Sequence, residues 1–170
     1  MHVDTILAHG TLAAMDEAFT LIPDGALAIT GDRIAAIGGA DEVLRAHTAD
    51  TVIDCHGCAI LPGLINAHTH VPMTLLRGLA DDLRLDVWLM GYMMPVEREF
   101  VTPDFVRLGT LLGCAEMIRS GVTTFADMYY FEDAIAQATA EVGLRAVLAQ
   151  TVLKFPSPDA PSWEDAIESC

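Results

Sequence analysis

The sequence predicts an α/β chain in two parts, a small β-module over residues 1–61 and, over 62–170, the opening strand–helix units of a parallel sheet or barrel. Two observations predict it. Before Pro62 short apolar runs are separated by turn residues; after Pro62 apolar runs alternate with longer stretches of helical spacing. A third observation sets the direction of the second part: the apolar run that opens it ends in His68-Thr69-His70.

The β-module is expected to contain strands at residues 3–8, 11–15 and 25–29. Thr30-Gly31-Asp32 reads as a tight turn into a strand at 33–37, because glycine permits the positive φ of such turns. A short helix over 41–46 leads to strands at 51–54 and 58–61. Residues 63–67 form the first strand of the second part. Thr102-Pro103 starts a helix, a capping hydroxyl before proline at the first helical position. Phe105, Leu108, Leu111, Leu112, Ala115 and Ile118 recur at three- and four-residue spacing, the expected buried face of that helix, which ends at Ser120-Gly121. A buried strand at 122–127 is followed by a helix over 132–142 closed by Gly143, then by a third strand at 145–152. Residues 155–161 are a proline-rich loop, and Ser162 opens a last helix. A closed (β/α)8 barrel needs eight strands and about 250 residues. Three candidate strands follow Pro62, so the 170 residues are expected to be the N-terminal part of a longer protein.

Composition narrows the function. The formal net charge is −15 and the pI near 4.4, which argues against nucleic-acid and anionic-membrane surfaces, since both require a basic patch. Hydrophobic residues make up 52% and mean hydropathy is +0.39, yet no window approaches the roughly 18 consecutive apolar residues of a membrane span. Met1-His2-Val3-Asp4 lacks the basic start of a signal peptide, so the expected location is the cytoplasm. Cys55, Cys58, Cys114 and Cys170 are expected to be reduced, structural thiols. The Cys55-His56-Gly57-Cys58 pair has neither a second pair nor a strand-to-helix context to make it zinc or redox chemistry. His2, His9, His47 and His56 read as surface or turn residues.

His68 and His70 are different. Residues i and i+2 of a strand point to one side, so both imidazoles can converge on one ion, and neutral imidazole is the commonest protein ligand for divalent transition metals. Two satisfied core histidines are the alternative.

The stretch Pro62-Gly63-Leu64-Ile65-Asn66-Ala67-His68-Thr69-His70 resembles the first barrel strand of the amidohydrolase superfamily. Pro72 to Leu83, Trp88-Leu89, Pro95-Val96-Glu97 and Gly121 to Tyr129 are similar to the branch containing 5'-methylthioadenosine/S-adenosylhomocysteine deaminases, with chlorotriazine hydrolases as relatives. The resemblance implies a TIM-type metal-dependent hydrolase barrel, present here as its first three β/α units and preceded by a small β-sandwich. It also implies that His68 and His70 bind a divalent metal, zinc by preference, at the barrel mouth. The other metal ligands and the proton-handling glutamate and histidine of that superfamily lie on later strands, so no catalytic residue is expected within this chain.

The implied reaction is hydrolytic deamination of a small molecule, an amino-purine nucleoside or similar heterocycle, by a full-length protein expected to self-associate. The alternatives are chlorotriazine or cyclic-amide hydrolysis, and a non-catalytic truncated module. By the same resemblance Glu97 accepts hydrogen bonds from ribose hydroxyls, against the alternative of a solvated helix carboxylate. Trp88 is read as a pocket wall or as core. Gln150 stands where many S-adenosylhomocysteine deaminases carry a substrate-binding arginine, with Lys154 as a nearby cation; an amide cannot pair with a carboxylate as a guanidinium does. Asp127 is expected to accept structural hydrogen bonds. Met73, Met90, Met93, Met94, Met117 and Met128 are expected to fill the core.

Overall fold

The computed structural model of the protein describes residues 1–169. Cys170, the fourth predicted thiol, lies outside the described residues. The chain forms two compact units, Met1–Pro62 and a second that begins at Gly63.

The first unit is one five-stranded sheet in which β1 (His2–Ala13) is central. β2 (Leu21–Thr30) pairs antiparallel with β1, and β3 (Arg33–Gly39) antiparallel with β2. β4 (Thr48–Asp54) and β5 (Ala59–Ile60) both run parallel to β1. The two strands predicted at 3–8 and 11–15 are thus one. His9 adopts φ 63° and the register against β2 shifts on either side of Gly10, so a bulge absorbs the break in pattern that reads as a turn. Helix α1 (Ala40–Ala46) buries Ala40 and Val43 against Val3, Ile6, Ala8, Ala26 and Ala28. The described residues supply one sheet of the expected sandwich.

In the second unit, β6 (Leu64–Thr69), β7 (Val122–Tyr129) and β8 (Arg145–Gln150) form a parallel sheet in that order. A 3-10 segment (Val71–Leu76) follows β6. Then come three helical stretches in immediate succession, α2 (Leu85–Val87), a π-helical stretch (Trp88–Met93) and α3 (Met94–Phe100). Helix α4 (Pro103–Arg119) leads to β7, α5 (Glu132–Val142) to β8, and α6 (Trp163–Glu168) lies beyond. Thr102 caps α4 by accepting the Phe105 N–H at 3.2 Å, a contact worth about 1 kcal/mol. Gly143 ends α5 at φ 76°, and Ser162 caps α6. The third strand ends at Gln150 rather than 152, and the bond from the Thr151 N–H to the Tyr129 carbonyl is its last rung to β7.

The buried face of α4 differs from the predicted one. Val106, Gly109, Thr110, Gly113, Cys114 and Met117 are buried, while Leu108 (59% exposed), Leu112 and Ile118 face outward. Close approach decides this. A Cβ on Gly109 would lie 2.4 Å from the Pro72 carbonyl oxygen, and one on Gly113 would lie 2.7 Å from Val71 Cγ2. The glycine face therefore seats the 3-10 segment that follows the histidines. Behind it Val106, Cys114, Met117, Phe125 and Ile135 form the core, so Met117 is core-filling as expected.

Candidate active site

The C-terminal ends of the three parallel strands carry the chemistry, as α/β sheets place it. His68 is the penultimate residue of β6 and His70 follows its last. Their rings meet edge-on, centroids 5.3 Å apart at 77°. His70 Nδ1 lies 2.6 Å from the Met128 carbonyl oxygen on β7. A carbonyl only accepts, so Nδ1 carries the hydrogen and Nε2 of the neutral ring keeps its lone pair, the tautomer control seen around metal-binding histidines. His68 is exposed beside it.

Asp127 lies opposite Thr69 in the sheet and is buried. Its Oδ1 accepts the Val71 N–H at 3.0 Å, fixing the chain just after His70, the structural role expected of it. Its Oδ2 has no hydrogen-bond partner among the described residues, and burial pushes the carboxyl up to about 6. Two imidazoles, one in a fixed tautomer, suit a divalent metal as two of its ligands. Among the described residues no set of three His, Cys, Asp or Glu side chains is gathered that could hold one.

A cavity of ≈ 170 Å³ opens beside His70. Leu89, Met93 and Glu97 reach it from one face of the helical run, at i, i+4 and i+8, and Trp88 joins from the π-helical stretch, a distortion common at functional sites. Glu97 is 6% exposed, so it is not a solvated surface carboxylate. Tyr129 OH donates to its Oε1 at 2.9 Å and Tyr130 OH to its Oε2 at 3.4 Å. Burial raises the Glu97 pKa, and the two tyrosine hydroxyls pull it back. Burial, then the Glu97 charge, pushes both tyrosines well above their ordinary value.

His70, Trp88 and Glu97 are thus brought together; His68 lines an adjoining hollow. Trp88 is a half-buried wall of the cavity. Met73, Met93 and Met128 also line it, where core filling was expected. Gln150 does not. It donates to Asp159 Oδ2 at 2.6 Å in a separate cavity of ≈ 410 Å³ with Glu132 and Phe131, because the loop after β8 brings its own carboxylate to the amide. Lys154 is exposed on that loop. Tyr129, Tyr130, Thr151 and Leu153 are cavity residues that sequence reading missed. The available signal was position, since each sits at or just past the end of a parallel strand.

A histidine pair, a buried carboxylate and an apolar cavity gather at parallel strand ends, the end at which α/β-barrel folds place their chemistry. The chain belongs to the Amidohydrolase family, whose profile matches residues 59–170. It is 46% identical over 166 residues to the 5-methylthioadenosine/S-adenosylhomocysteine deaminase 1 of Syntrophus aciditrophicus (strain SB), covering 98% of this chain and 38% of that protein. It is 49% identical to the corresponding deaminase of Nitratidesulfovibrio vulgaris (strain DP4), covering 97% of this chain and 37% of that one. The chain therefore spans under two fifths of the length of these relatives. Among solved structures it resembles an adenosine deaminase from Xanthomonas campestris with bound zinc. There the TM-score is 0.91 at 34% identity, over 99% of this chain and 38% of that one. An atrazine chlorohydrolase of Arthrobacter aurescens TC1 complexed with zinc matches at TM-score 0.78 and 24% identity, over 89% and 36% of the two chains, a likeness of fold. The fold is that of the amidohydrolase TIM-type barrels, of whose length this chain covers part.

Proposed function

We propose that this chain forms the substrate-facing front of a hydrolytic deaminase acting on an amino-purine nucleoside or a closely similar heterocycle. The observation that carries the reading is Glu97, a carboxylate buried in the same cavity as His70 and held there by two tyrosine hydroxyls. A carboxylate only accepts, and each of its oxygens has a lone pair left beyond the tyrosine bond, so adjacent hydroxyls of a ribose match it. Trp88, Met93 and Leu153 offer apolar walls to a planar base and exclude water around it.

His68 and His70 would hold a divalent metal, zinc by preference. When bound, such a metal makes a water acidic enough to supply hydroxide near neutral pH. His70 contributes through its Nε2, kept available because Nδ1 is committed to the Met128 carbonyl. Asp127 keeps the backbone after His70 in place.

The test is ammonia release from adenosine, 5'-methylthioadenosine and S-adenosylhomocysteine by protein carrying this sequence at the length of its relatives. Release from at least one, lost in Glu97→Ala, is expected. Turnover confined to chlorinated triazines or cyclic amides, or no turnover by the metal-loaded protein, overturns the reading.

A further inference from the structure

Cys55-His56-Gly57-Cys58, in the first unit, takes no part in the site above, and its chemistry is independent of the deaminase reading. The motif is a β-turn between β4 and β5, closed by the Cys58 N–H donating to the Cys55 carbonyl at 2.9 Å, with Gly57 at φ 76°. Such a turn keeps its first and fourth Cα atoms within about 7 Å, and a disulfide spans about 4.4–6.8 Å. Both ends are tied to β1. Cys55 N–H donates to the Ala8 carbonyl at 2.7 Å, and Thr11 N–H to the Cys58 carbonyl at 3.0 Å.

Between those two anchors lies the bulge. His9, at φ 63°, stacks its ring on His56 with centroids 4.7 Å apart and planes 16° from parallel. Each ring is fixed by a carboxylate, Asp24 accepting from His9 Nδ1 at 3.0 Å and Asp54 from His56 Nδ1. The turn is thus held in one shape before any bond forms.

The two side chains also leave the backbone on one side. A Cβ on Gly10 would meet Ile60 Cγ1 at 2.7 Å and Cys55 Cβ at 3.0 Å, so the Cys55 and Ile60 side chains occupy the same notch over Gly10. Cys58 precedes Ile60 by two residues on the stretch paired with β1, and alternation puts these two on one face. Neither is in a disulfide: Cys55 is half-buried with its thiol donating to the Ile53 carbonyl at 3.7 Å, and Cys58 is exposed. A metal is disfavoured here, because in-plane lone pairs of two near-parallel stacked rings do not converge on one point.

We propose that Cys55 and Cys58 are a redox-active dithiol that exchanges with low-molecular-weight disulfides of the glutathione type. The exposed Cys58 thiol loses its proton to solvent and its thiolate attacks one sulfur of the disulfide RSSR. The RSSR bond breaks, and the departing RS⁻ takes up a proton. Cys55, deprotonated in turn, attacks the Cys58 sulfur of the mixed disulfide and expels the second RS⁻, which is protonated likewise. Two protein thiols are oxidised to one disulfide, and RSSR is reduced to two RSH.

The experiment treats the full chain with oxidised glutathione, blocks residual thiols with N-ethylmaleimide and maps the peptides by mass. The peptide spanning 55–58 should lose two hydrogens with no glutathione adduct and recover them with dithiothreitol. Cys55→Ser, shown folded by circular dichroism, should instead accumulate one glutathione on Cys58. The proposal fails if the unsubstituted chain keeps a stable glutathione adduct at either position. It also fails if both thiols take up N-ethylmaleimide after the oxidant, or if both are blocked by stoichiometric zinc.

Discussion

Tyr129 OH donates to Glu97 Oε1 at 2.9 Å, joining the last residue of β7 to a helix 32 residues earlier in the chain. Removing that hydroxyl leaves a buried carboxylate oxygen short of a donor, so Tyr129→Phe should cost about 1–3 kcal/mol in urea unfolding. The Glu97 pKa should rise further, since the lost bond favoured the charged form.

Helix α4 supplies a test of close packing. Gly→Ala within a helix ordinarily gains about 1 kcal/mol, but a Cβ at Gly109 meets backbone atoms of Pro72 at 2.4 and 2.8 Å that cannot swing aside. Gly109→Ala should therefore lose on the order of 3 kcal/mol, the upper end of ordinary overpacking. Gly91→Ala, which meets open space, serves as the control and should be neutral or stabilising by denaturant titration.

Glu132 gives a pH dependence of definite sign. Burial raises its pKa from 4.5 to about 7, outweighing the Tyr129 N–H it accepts at 2.7 Å, and the Asp127 and Asp159 charges add to the rise. The folded chain thus holds a proton that the unfolded chain has released. This contribution to stability is full below the unfolded value and falls as pH rises toward 7. The thermal midpoint should drop between about pH 5 and pH 7, and Glu132→Gln, which keeps the acceptor for Tyr129, should flatten that drop.

Zinc retention tests the histidine pair. Two imidazole ligands hold a metal weakly, so zinc added to the 170-residue chain should be lost on dialysis, by atomic absorption. Stoichiometric retention would show that these residues complete a site by themselves. His70→Ala should abolish any residual affinity.

The strand-end placement of His68 and His70 and the Thr102 cap were legible because each depends on local spacing and residue chemistry, whereas Glu97 was singled out by resemblance alone. The outward Leu108, Leu112 and Ile118 were not. Their periodicity equals that of a buried stripe, and only the approach of Pro72 to Gly109 shows which face wins. The β1 bulge was hidden for a related reason, since His9 in a left-handed conformation reads as a break between two strands. Tyr129 and Tyr130 escaped because their partner Glu97 is remote in sequence and met only in the folded unit. The seat of Gln150 depended on Asp159, nine residues on in a loop without periodicity.

That seat changes what the position asks of a ligand. Asp159 takes the Gln150 amide at 2.6 Å and the Phe131 N–H at 3.0 Å, and Ser157 donates to its other oxygen at 2.7 Å. A group arriving at Gln150 must displace a bond already made to a charged partner, exchanging one hydrogen bond for another instead of adding one.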